Sequence, residues 1–191
     1  MSRLTPLPPS DMSAEQREFA STFSSGRRAA SDAAFRLVNT HGELIGPPAT
    51  WVLSPSLGMA LQHIGGEVRY GLELADRAAE AAILVVGARE HSDFEIFAHR
   101  RAAARAGWSD DEIDQILDGT VPDAADELES TAIRLARRML DSAPDDHEFD
   151  EAVRVLGTKQ LFELVTLIGY YRMVALQLAV FDVRPPTEQS E

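Results

Sequence analysis

The segment LFELVTLIGYYRMVALQLAV, residues 161–180, constrains the fold more than any other part of the chain. It is too long for an ordinary strand and is apolar over most of a helical circumference. A helix of that kind has almost no face to leave in water, so other helices or a second subunit must cover it. No other segment alternates convincingly between apolar and polar residues, and no repeat recurs over windows of about 20 to 50 residues. The expected fold is all-α, a single-domain helical bundle, and the apolar closing helix favours a homo-oligomer.

Capping residues and breakers divide the remainder. An extended arm with Pro6, Pro8 and Pro9 leads to Ser13 and Gln16, which predict a capping box and a helix near 14–23. After Ser24-Ser25-Gly26, an apolar-periodic piece spans Ala29 to Val38. In NTHGELIGPPATWVLSP, the breakers Gly42, Gly46, Pro47 and Pro48 predict a long ordered loop. Ser54-Pro55 then starts a short helix that Gly65-Gly66 should end, giving 55–64. From Asp76 to Arg89 runs a largely buried helix. Its ILVV tetrad could pass for a strand, but the alanine-rich lead-in argues for helix, and Glu80 lies inside the apolar run. Ser92 and Glu95 have capping-box spacing for a helix reaching about Ala106, where Gly107 stops it. A second box, Ser109 with Glu112, opens a helix toward Leu117, and further helices are expected near 124–141, 146–156 and 159–180.

Composition excludes several functions. Of the 191 residues, 31 are acidic and 18 basic, and a net charge of −13 repels nucleic-acid backbones and anionic membrane surfaces. No nucleic-acid partner is expected. The N-terminus lacks an apolar signal segment and no stretch is expected to meet the roughly 20 apolar residues of a membrane span, which points to a cytoplasmic protein. The absence of cysteine removes disulfides, thiolate metal sites and thiol catalysis together. There is also no phosphate-binding glycine loop, dinucleotide fingerprint or G-x-S-x-G elbow.

Glu95 and His99, four residues apart, share one helical face. In the plain reading, Glu95 satisfies the helix start and His99 is a partly exposed histidine. In the chemical reading, His99 is desolvated by Phe94, Phe97 and Ala98, and the carboxylate beside it orients the ring and favours its charged form. His91, Glu95 and His99 would line up as metal ligands only on one continuous helix. The Ser92 cap puts His91 outside it and no further ligand is evident, so no metal and no cofactor are expected. Arg69, Arg89 and Arg172 flank apolar segments where an anionic substrate could be held. Tyr170 and Tyr171 could donate to a ligand, although neighbouring helical positions point in different directions.

The segment FEIFAHRRAAARAGWSDDEI resembles the carboxymuconolactone decarboxylase family, whose members carry a Glu-aromatic-x-x-His element followed by an alanine-rich turn, a glycine and an acidic helix start. The likeness extends upstream through GELIGPPATWVLSPSLGMALQHIGGEVRY and downstream through FELVTLIGYYRMVALQLAV. It covers roughly 35–183, leaving 1–34 as an N-terminal arm and helix and 184–191 as a tail. The resemblance implies an alkylhydroperoxidase D-like bundle and a lyase that decarboxylates a small carboxylated lactone or related cyclic acid without a cofactor. His99 would be the proton donor, Glu95 would orient or recharge it, and Glu80 would be a buried carboxylate of raised proton affinity that relays a proton. Glu80 has an equally good reading as the partner of a nearby arginine. Ser92, at the positive end of its helix, would bind a substrate carboxylate with help from Arg89. Thiol peroxidases of the same superfamily carry cysteines that align with Ser92 and Glu95, so thiol-disulfide cycling has no chemistry here. Ile96 stands where the decarboxylase branch often has tryptophan, and residues 1–34 exceed its compact core. Two other readings stay open: a helical oligomer that binds a small ligand without turnover, and a lactone hydrolase or isomerase using the same Glu-His pair.

Overall fold

The computed structural model describes residues 3–24 and 37–186. Among them the chain forms α1 (Ala14–Ser21), α2 (Pro47–Trp51), α3 (Pro55–Tyr70), α4 (Asp76–Arg89), α5 (Asp93–Ala106), α6 (Asp110–Leu117), α7 (Glu127–Asp141) and α8 (Asp146–Phe181). The all-α expectation holds: the described residues contain no strand, only an isolated antiparallel bridge between Val38 and Leu44. Most of the apolar-periodic piece Ala29 to Val38 lies outside the described residues.

The chain divides into two compact units, Met1–Gly66 with Leu176–Glu191, and Glu67–Ala175. In the first, α1 opens with the Ser13–Gln16 capping box read from the sequence. Its Phe19 is buried and meets Phe23 edge to face at 5.1 Å. Gly58 lets this aromatic pair close down, because a Cβ there would come within 2.8 Å of Phe19 and of the Trp51 carbonyl. The expected loop through Pro47 and Pro48 is interrupted by α2. Gly46 takes φ 68 at its cap, and prolines in a first helical turn lose no backbone bond, so the residues read as breakers here start a helix.

α3 also departs from expectation, since it runs through Gly65-Gly66 to Tyr70. Leu61, Gly65 and Val68 form a buried stripe at helical spacing across the glycine pair. Burying Leu61 and Val68 is worth about 1.5–3 kcal/mol each, which outweighs roughly 1 kcal/mol per helical glycine. The extra turn carries Arg69.

In the second unit α4 is central, packed against α5, α6 and α7. Ala78, Ala81 and Ala82 keep it thin, while Ile83, Leu84, Val85 and Val86 supply the buried apolar surface. Arg77 ties it down: its guanidinium lies 3.9 Å over the Trp108 ring, and Trp108 donates to the Arg77 carbonyl at 2.8 Å. α7 begins three residues later than expected, where Asp126 and Glu129 close a capping box that the sequence reading missed. In α8, Gly157 adopts φ 73 and ψ 162, a conformation essentially restricted to glycine, and separates the two helices expected there. One expectation is corrected. By length and composition alone α8 could cross a membrane, although Leu164, Leu167, Ile168, Tyr171 and Val174 within it are buried in protein.

Candidate active site

Within the second unit, residues of four helical segments bring together a carboxylate, an imidazole, a second carboxylate, a guanidinium and a phenol. α4 supplies Glu80, α5 supplies Glu95 and His99, the last turn of α3 supplies Arg69, and α8 supplies Tyr171. The α4–α5 turn sets their spacing. The Ser92 amide donates to Gly87 and the His91 amide to Ala88, with His91 in the left-handed position at φ 52. This helix-ending pattern usually takes glycine, and histidine is among the residues that tolerate it. Gly87 allows α5 to approach, because a Cβ there would lie 3.2 Å from Ile96.

That turn corrects the expected Ser92–Glu95 capping box. Boxes close at Ser13, Ser109 and Asp126, where ψ is 170, 161 and −179. Ser92 is held at ψ 91 and makes no side-chain cap bond, which releases Glu95 from the helix start. The Glu95 carboxylate instead lies in the interior, 3.4 Å from His99 Nε2.

His99 is buried rather than partly exposed, at 2%. Its Nδ1 lies 2.6 Å from Glu80 Oε2, the geometry of an Nδ1–H donating to a carboxylate. Tyr171 stands edge-on to the imidazole at 4.8 Å and blocks rotation of the ring. The Arg69 Nη1 lies 3.4 Å from His99 Nε2, and its Nη2 is 4.0 Å from Glu80 Oε1.

Burial works against the charged form of His99, but the adjoining Glu80 carboxylate more than offsets it and raises the proton affinity above that of ordinary histidine. Glu80 moves the other way. Burial alone would raise it, yet His99 and then Arg69 hold it below the usual carboxylate range, so the expected raised affinity is corrected. Its two readings merge, since its side chain is only 15% exposed and also faces an arginine. Arg69 stays firmly ionised: desolvation opposes its charge, but Tyr171 and Glu80 outweigh that. Burial keeps the Tyr171 phenol protonated by raising its pKa.

Glu80, rather than Glu95, makes the short contact that orients the ring. Glu80 holds and charges the imidazole from Nδ1, which leaves Nε2, with its longer contacts to Glu95 and Arg69, as the nitrogen that can exchange a proton with a ligand.

Of the other candidates, Ser92 is buried in this turn. Arg89 is exposed and ion-paired with Asp141, nine residues past Glu80 and so about 13 Å further along α4 at 1.5 Å per residue. It does not join the cluster, because that helical position faces outward. Arg172 is likewise exposed and pairs with Glu90 at 2.8 Å. His91 is exposed and outside α5, which breaks its alignment with Glu95 and His99. Among the described residues no group of three or more His, Cys, Asp and Glu side chains is arranged to hold a metal. Arg69 had been singled out only as one of three arginines; the Leu61-Gly65-Val68 periodicity crossing the glycines was the signal that could have placed it on a helix here.

Residues 55–138 match the carboxymuconolactone decarboxylase family, a span that contains Arg69, Glu80, Glu95 and His99. No curated protein matches the sequence. Among solved structures, a cysteine-to-alanine variant of the debrominase Bmp8 in complex with 2,3,4-tribromopyrrole is similar, with a TM-score of 0.72 at 14% identity. That match covers 98% of this chain and 95% of the other, and it shows a shared fold.

Proposed function

We propose, from the match of residues 55–138 to the carboxymuconolactone decarboxylase family, that the chain is a cofactor-free lyase acting on a small carboxylated lactone or related cyclic acid. The observation that carries this reading is the short Glu80–His99 contact on Nδ1, which charges the imidazole and leaves Nε2 toward Glu95 and Arg69. In the reaction the bond from the ring carbon to the carboxylate breaks and releases CO2. Its electron pair passes into the conjugated lactone carbonyl as a dienolate, and the Nε2 proton of His99 is delivered to carbon. Neutral His99 then regains a proton by way of Glu95. General acid–base catalysis of this kind contributes about 10²- to 10⁴-fold.

Thiol chemistry has no group to support it. The similar debrominase structure is of a cysteine-to-alanine variant, whereas this chain contains no cysteine. Its ligand, a small substituted ring, is of the size class that this reading assigns to the site. Assembly as a homo-oligomer belongs to the same proposal and is motivated by α8, where Phe162, Val165, Leu176 and Val180 stay exposed in the single chain.

The test is a screen of unsaturated lactone acids that reads CO2 release and ring opening separately. CO2 release without prior ring opening supports the lyase. Ring opening alone would favour a hydrolase using the same Glu-His pair.

A further inference from the structure

We infer that Arg69 is the specificity-determining residue of this site, anchoring a carboxylate on the ring ligand and admitting acids in preference to their neutral analogues. The inference rests on the acid-base reading of the cluster and adds the residue that selects an acid for it.

Exposure gives the first argument. The Arg69 side chain is 26% exposed, against 15% for Glu80, 4% for Glu95 and 3% for His99, so an entering ligand meets the guanidinium before the imidazole. The second argument is donor capacity. A guanidinium presents five N–H donors in a fixed fork, and charged hydrogen bonds run about 2.7–2.9 Å. Beyond its hydrogen bond to the Tyr171 phenol, Arg69 reaches His99 Nε2 only at 3.4 Å and Glu80 Oε1 only at 4.0 Å. An incoming carboxylate offers shorter bonds than either.

The third argument is the facing of like groups. When His99 carries its Nε2 proton, that N–H and the Nη1 donors of Arg69 confront each other across the same 3.4 Å. An anionic oxygen lodged there accepts from both, and the contact that separates the two cations becomes their shared ligand site. The groups facing it are Glu80 from α4, Glu95 from α5 and Tyr171 from α8. Two carboxylates close to the imidazole would repel a substrate acid, so Arg69 supplies the positive charge that makes entry favourable. Neither Arg89 nor Arg172 serves, because both are exposed and occupied by Asp141 and Glu90.

The experiment is calorimetric titration of the full chain with furan-2-carboxylate and with furan-2-carboxamide, two probes of one shape that differ in charge. The wild type should bind the acid about 10-fold or more tightly than the amide, the range of one charged hydrogen-bonding contact. Arg69→Gln should bring the acid down to the affinity of the amide while changing the amide by less than about 2-fold. Arg69→Lys, which keeps the charge but loses the fork, should fall between and supplies the test if the glutamine variant does not fold. His99→Gln removes one of the two donors to the anionic oxygen and should narrow the acid preference without abolishing it, whereas CO2 release by the wild type reads the lyase proposal separately. No saturable acid binding, equal binding of acid and amide by the wild type, or an undiminished preference in both Arg69 variants would overturn it.

Discussion

The Glu80 carboxylate lies 2.6 Å from Nδ1 of His99, nineteen residues further along the chain, and the two are joined across the α4–α5 interface. Glu95, the nearer glutamate in sequence, stands at the longer distance of 3.4 Å and on the other ring nitrogen. One carboxylate therefore fixes the ring while the other faces the nitrogen left for chemistry.

Removing the Glu80 charge should weaken the acid. Glu80→Gln keeps the shape and an acceptor for Nδ1–H but loses the carboxylate that raises the proton affinity of His99. If charged His99 donates the proton, the rate falls as pH rises through the His99 pKa. In the variant that fall should come at lower pH, and turnover at neutral pH should drop by about 10²- to 10⁴-fold. A pH–rate profile checks both, and an unmoved limb would contradict the assignment.

The same pair sets a pH window for stability. His99 is raised above its ordinary 6.5, so its contribution is fully present below pH 6.5 and is lost as pH rises through the higher folded value. Glu80 is lowered below its ordinary 4.5, so its contribution is present above pH 4.5 and is lost as pH falls through the lower folded value. Both act between pH 4.5 and 6.5. Melting curves should show the largest gap between the wild type and the Glu80→Gln/His99→Gln double variant in that window, narrowing on either side.

Two glycines with open space around them should respond in opposite directions to alanine. Gly66 is helical and a Cβ there meets nothing within 4 Å, so Gly66→Ala should stabilise by about 0.4–1 kcal/mol. Gly157 has equal space but φ 73 and ψ 162, so Gly157→Ala should destabilise by about 1–3 kcal/mol from backbone strain alone. Urea unfolding of the two variants measures the difference.

Caps should behave according to observed geometry. Ser109→Ala removes a closed capping box and should cost about 1 kcal/mol. Ser92→Ala removes no cap bond, so thermal melting should show a smaller loss there despite the same Ser-x-x-Glu spacing.

That contrast marks what could be read from sequence. Helix α4 and the interruption of α8 were legible because alanine-rich and apolar periodicity coincide with local stops. Ser13 and Ser109 were legible as caps because nothing distant constrains their ψ. Ser92 was misread because a turn closed by the preceding helix fixes its backbone, and that turn is not encoded in the capping spacing. Gly65-Gly66 was misread as a stop because glycine spacing carries no record of the burial on either side. Both errors fall on the site: the first hid that Glu95 is released from its helix start, and the second hid the turn that carries Arg69. The residues Glu80, Glu95 and His99 were identifiable by type and position, but which glutamate takes which ring nitrogen depends on how α4 and α5 pack.

Proton delivery by His99 Nε2 is tested most directly by turnover of an unsaturated lactone acid in D2O, following CO2 release and deuterium on the product carbon together. One deuteron on the dienolate carbon that takes the proton is expected in the wild type, with loss of both signals in a His99→Gln variant that keeps the wild-type circular-dichroism spectrum. Wild-type rates of CO2 release and deuteration in His99→Gln would contradict it.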